Sequence, residues 1–145
     1  MRLDVRSPDR MNAAFAEAFN SRDITHLLRL YEPEAVLCAT KSGAVQVGID
    51  AIEKALRQLL QMPGRMVSHN HFCLIHDNLA LLRADWRLAA DDGAIVASGS
   101  SAELIRRQND GRWLYVIDHA LGANLESLPT ADALPQETET VCKPS

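Results

Sequence analysis

The sequence predicts an α+β domain in which helices lie over one face of a curved, mainly antiparallel sheet, and three observations carry that reading. Apolar residues recur every three and four positions in three segments of the first sixty residues. From Arg65 to Ala120 the period changes to two. The four long runs of that second half are separated by Asp77-Asn78, Asp91-Asp92-Gly93 and Asn109-Asp110-Gly111, the turn chemistry that joins antiparallel neighbours.

Taken in order, Ser7-Pro8 opens the first helix, with proline at a position whose N–H would be unpaired in any case. Met11, Ala14, Phe15, Ala18 and Phe19 form its stripe, and it ends near Asn20. Asp23 caps a shorter second helix whose stripe is Leu27, Leu28 and Tyr31, and Pro33 stops it. A short strand over residues 35–40, a turn at Ser42-Gly43 and a second run, "AVQVG", follow. The third helix has Asp50 near its N-terminus, repeats Ile49, Ile52, Leu56, Leu59 and Leu60 on one side, and breaks at Pro63-Gly64. Long antiparallel strands twist, so a sheet of this kind curls and leaves a concave interior beneath its helices.

The chain has 145 residues, 47% apolar and 23% charged, the make-up of one soluble domain. We place that pocket-bearing domain at residues 1–125 and read residues 126–145 as a flexible or disordered tail, because prolines and short polar residues there sustain no period. Net charge is −4, and the four acids and one lysine of the tail leave −1 for the rest. Nothing in that balance suits a nucleic-acid backbone. No apolar run is long enough for a bilayer span, and "MRLDVRSPDR" lacks the apolar stretch of a secretory signal, so a cytoplasmic protein is expected. Three widely spaced cysteines make neither a disulfide framework nor a zinc pattern. Phosphate-binding glycine loops, G-x-S-x-G and H-E-x-x-H are absent, so nucleotide-dependent and serine-hydrolase chemistries have no support. No cofactor is expected, because positioned carboxylates in a dry cavity suffice for proton transfer.

The fragments "DITHLLRLYEPEAVL", "VGIDAIEKAL", "DNLALLRADWRLAADDG" and "NDGRWLYVIDHALG" together resemble the SnoaL-like branch of the nuclear transport factor 2-like (ketosteroid isomerase-like) superfamily, over residues 8–122. The resemblance implies a cone-shaped half-barrel, with three helices from the first half of the chain over the concave face of the sheet, a deep pocket and a homodimer. It implies no single activity, since that superfamily holds isomerases, dehydratases, an epoxide hydrolase, cyclases and non-catalytic association domains.

Strict alternation on the last strand puts Leu114, Val116, Asp118 and Ala120 on one face and Trp113, Tyr115, Ile117 and His119 on the other. Asp118, among aliphatic residues, is the candidate acid or base, with His119 as the candidate that assists it. One strand earlier, Ala80, Leu82, Ala84, Trp86 and Leu88 form an apolar face, and Trp86 is expected to wall the cavity. Phe15, Phe19 and Tyr31 from the helices, and His69 and His71 from "SHNHF", complete the expected lining. The two histidines share a face but have no third ligand nearby in sequence, so no metal site is assigned. Arg83, Asp85 and Asp118 also look like the arginine-bridged aspartates of limonene epoxide hydrolase, an arrangement that requires Asp85 and Asp118 on the same side. The expected function is binding of a small apolar or moderately polar molecule, with cofactor-independent isomerisation, cyclisation or hydration/dehydration as its chemistry. A ligand-binding or dimerisation module without turnover is the alternative.

Overall fold

The computed structural model describes residues 4–124. A 3-10 turn at Pro8–Arg10 leads into α1 (Met11–Ser21), then α2 (Ile24–Leu28), β1 (Tyr31–Cys38), β2 (Val45–Val47), α3 (Ile49–Leu59) and the strands β3 (Arg65–His76), β4 (Leu79–Ala89), β5 (Ile95–Arg107) and β6 (Trp113–His119). They form one curled, open sheet in the order β2-β1-β6-β5-β4-β3, antiparallel except for the β1–β6 pair. The expected α+β architecture is thus present. The expected tail, residues 126–145, lies outside the described residues, and no described helix is long and apolar enough to cross a membrane.

The helix ends follow the local chemistry. Arg22 stops α1 by taking a left-handed conformation (φ 61°), and the Asp23 carboxylate accepts the Thr25 backbone N–H at 2.9 Å to cap α2. The Arg22 guanidinium then donates to the carbonyls of Leu60 and Met62 at 3.0 and 2.6 Å and lies over the Phe19 ring, tying the end of α1 to the end of α3. Asn20 pairs with both backbone groups of Met66, which occupies the start of the sheet's outer edge. A side chain there does what another strand would do.

One boundary differs from the sequence reading. Tyr31 is the first residue of β1 and does not close α2. Pro33 does not terminate a helix; it sits where the β1–β6 register slips between Tyr31 and Val36, and an irregular stretch has no ladder bond for the missing N–H to break.

A second irregularity bears directly on the cavity. Leu104 of β5 faces Ile117 of β6, but Ile105 faces Tyr115, so Val116 has no opposite number and forms a bulge. The extra residue resets the alternation. Tyr115 and Asp118, three apart, are both buried on the concave side, at 1% and 6% exposure. The strict alternation that separated them is corrected by that single residue.

Candidate functional site

Beneath α1 and α3 the curled sheet encloses a cavity of about 90 Å³. Its walls are mainly apolar, built from Phe15, Leu56, Leu59, Met66 and Trp86, and its polar groups are Asn12, Ser68, Ser101, Glu103, Tyr115 and Asp118. Trp86 is anchored by donating its indole N–H to the Ala120 carbonyl at 2.7 Å. Gly99 makes room for it: a Cβ there would stand 2.9 Å from the indole and 2.6 Å from Leu121.

Glu103 and Asp118 are directly opposite each other on β5 and β6. Ser101, Glu103 and Ile105 alternate inward along β5, which puts the Glu103 carboxyl in the same cavity as Asp118, at 4% exposure. The two acids have different donors. The Tyr31 phenol donates to Asp118 Oδ2 at 2.5 Å, from behind the cavity wall. The Asn12 amide donates to Glu103 Oε1 at 3.1 Å, and Asn12 is itself oriented by the Tyr115 phenol, which donates to its Oδ1 at 2.7 Å. The Ser101 hydroxyl donates to the Ala84 carbonyl at 3.2 Å and, on the same face of β5 as Glu103, joins Asn12 in favouring the charged form of that acid.

Both carboxyls hold their protons more tightly than free acids do. Burial raises Asp118 to about 6, with the Tyr31 hydrogen bond opposing. Burial first and the charge of Asp118 second raise Glu103 to about 8, with Ser101 and Asn12 opposing. Tyr31 and Tyr115 are pushed well above the ordinary phenol value, chiefly by burial and then by the negative charge of Asp118, so they remain donors. Near neutral pH this geometry favours an ionised Asp118 beside a protonated Glu103. Two carboxyls held apart in this way can serve as base and acid in one site.

Of the residues singled out in the sequence, Asp118, Phe15 and Trp86 line the cavity. His119 points the other way, and its Nδ1 accepts the Leu121 backbone N–H at 3.3 Å. Phe19 is fully buried beneath Arg22, away from the cavity. Tyr31 stands behind Asp118 and reaches the site only through that carboxylate. His69 and His71 are exposed: on β3 Ser68 takes the cavity-facing place and Asn70, itself exposed, turns to Asn12 and the Asp9 carbonyl, while His71 lies 2.6 Å from Asp85 on the outer face. Asp85 therefore sits on the opposite side of the sheet from Asp118, and the arginine-bridged pair does not form.

Glu103, Asn12 and Tyr115 were not anticipated. Glu103 was legible, since counting back by twos from the apolar Ile105 puts a carboxyl on the inner face. Tyr115 was not, because the bulge that turns it inward depends on the partner strand.

The SnoaL-like domain family matches residues 12–116. Among solved structures, a provisionally assigned calcium/calmodulin-dependent protein kinase type II association domain from Thiobacillus denitrificans aligns at TM-score 0.71 and 19% identity, covering 85% of this chain and 98% of its own. A Nostoc punctiforme protein of unknown function with a cystatin-like fold aligns at TM-score 0.69 and 17% identity, covering 83% and 90%. A ketosteroid isomerase-like protein from Erwinia carotovora atroseptica aligns at TM-score 0.62 and 18% identity, covering 77% and 90%. At such identities the likeness is one of fold. No curated protein matches the chain.

Proposed function

The chain belongs to the SnoaL-like domain family, and from that premise we propose that it is a cofactor-independent proton-transfer catalyst acting on a small, uncharged organic molecule. The observation that carries this reading is the pairing of Asp118 and Glu103 in one largely apolar cavity with unequal hydrogen-bond donors. Asp118 Oδ2 is taken by Tyr31, so Oδ1 is the base. Glu103 Oε1 accepts from Asn12, so its proton resides on Oε2 and is the one delivered.

In the forward step Asp118 Oδ1 removes a proton from a C–H or from water while Glu103 Oε2–H protonates a developing oxygen anion. One proton enters the protein and one leaves it. In an isomerisation Asp118 returns its proton to another carbon while Glu103 recovers its own from the substrate oxygen; in a hydration or dehydration Asp118 gives its proton to solvent and Glu103 takes one back, and either way the starting state is restored. Isomerisation, cyclisation and hydration/dehydration all fit that balance. Among the described residues no Lys, Arg or His lines the cavity, so an anionic ligand would meet Asp118 with no cation there to offset it. A cavity of about 90 Å³ favours a compact molecule.

Native mass spectrometry of the purified protein identifies any retained molecule, and that molecule or its close analogues then serve as substrates. A bell-shaped dependence of kcat/KM on pH, with limbs near 6 and 8, is expected. A retained molecule that emerges chemically unchanged at every pH overturns catalysis in favour of a binding module.

A second copy of the chain is the partner we propose. Val47, Val36, Ile117, Leu104, Leu81 and Leu74 lie in register across all six strands, one aliphatic row on the face away from the helices. Leu74 and Leu81 remain 64% and 45% exposed. Such a row is the kind of apolar surface that association covers. Light scattering after gel filtration is expected to give a dimer for the wild type and a monomer for Leu81→Lys; a monomeric wild type at micromolar concentration sinks the idea.

A further inference from the structure

The two carboxyls of the cavity face one another across neighbouring strands, and in an apolar site both cannot carry charge at neutral pH without mutual repulsion. Something must decide which one ionises. The groups that could do so are few. Facing Asp118 are Tyr31 from β1, Tyr115 from its own strand and Glu103 from β5; the cavity residues from α1, α3, β3 and β4 are uncharged. Tyr115 is committed to Asn12, so Tyr31 is the donor at Asp118, while Asn12, with the Ser101 hydroxyl beside it, serves Glu103.

They are unequal. A phenol O–H at 2.5 Å is a shorter and more acidic donor than an amide N–H at 3.1 Å, and the stronger donor favours the ionised state of its acceptor more. Tyr31 is also rigidly placed. It is 4% exposed, packed against Tyr115 with ring centroids 5.0 Å apart and planes tilted by 37°, and aligned with it in the parallel β1–β6 register before the slip at Pro33. The irregular start of β1 thereby aims the phenol at Asp118 without using up cavity space.

We propose that Tyr31 is a positioning residue that assigns the pocket's negative charge to Asp118 and so leaves Glu103 to act as the acid. Its catalytic meaning rests on the proton-transfer role proposed above, but the assignment itself is a property of the free protein.

The test is a carbon-13 NMR titration of the Asp118 and Glu103 side-chain carboxyls in the full chain without ligand. In the wild type Asp118 is expected to ionise before Glu103. Tyr31→Phe should raise the Asp118 midpoint by about one pH unit or more and bring the two midpoints together. Replacing Tyr31 with 3,5-difluorotyrosine, a more acidic donor of nearly the same shape, should move Asp118 the other way, and decides the matter if the phenylalanine variant does not fold. Unchanged midpoints in the folded variants overturn the proposal. If Tyr31→Phe shifts Asp118 as expected but Asp118→Asn turns substrate over normally, the assignment stands and the catalytic reading falls. Where turnover exists, the acid limb of kcat/KM should move with the NMR midpoint.

Discussion

Asp85 and Asp118 lie on opposite faces of the same sheet, and each accepts a hydroxyl hydrogen bond of 2.5 Å, from Ser100 and Tyr31 respectively. Their acidities nevertheless diverge. On the outer face, Asp85 is lowered by its bonds from Ser100 and His71, with water still in reach. On the inner face the same kind of bond is outweighed by loss of solvent, and Asp118 is raised. A short hydrogen bond adjusts a carboxyl, whereas the surrounding medium decides which way it goes. Reactivity is therefore expected where the sheet curls over its helices.

The largest effect should come from the inner acid. Asp118→Asn is expected to lower kcat/KM by roughly a hundredfold to ten-thousandfold, the range of a lost general base. Asp85→Asn, measured in the same assay, should leave it unchanged. Equal losses in the two variants would abolish the contrast.

Next in size is a pH effect on stability. Folded Glu103 binds its proton up to about pH 8, while an unfolded glutamate loses it near 4.5, so the folded state holds more protons between those values. Stability from this group is therefore full below about pH 4.5 and falls as pH rises toward 8. Asp118 adds a similar fall between about 3.8 and 6. Glu103→Gln removes the later part, and its Tm at pH 9 should exceed that of the wild type by several degrees, with little difference at pH 5. Thermal melts showing the gap at pH 5 instead would reverse the sign and refute the burial argument.

The smallest effect belongs to the outer face. Asp85→Asn should change Tm by no more than about one degree near neutral pH, since exposed ion pairs contribute little. A large loss measured by calorimetry would mean that water does not reach this carboxyl, and the comparison would need another basis.

Much of the inner face could be read from residue order. Alternation along "ALLRADWRLA" turned Trp86 inward, and the acid among aliphatic residues in "VIDHAL" was Asp118. Glu103 obeys the same rule on β5 and required only that the rule be applied there. Tyr31 was misplaced because Leu27, Leu28 and Tyr31 also satisfy a helical stripe, and short segments fit both periods. His69 and His71 shared a face on paper, yet the cavity-facing place on β3 went to Ser68.

The chain's own order of residues determined the α+β class, the helix caps at Asp23 and the turns between the long strands, because periodicity and turn chemistry act over a few neighbouring residues. Only the tertiary structure decided that Val116 bulges, that Tyr115 joins Asp118 inside, and that a phenol from β1 and an acid from β5 converge on it. Those outcomes depend on strand register and on where water is excluded, and both are set by segments far apart in the chain.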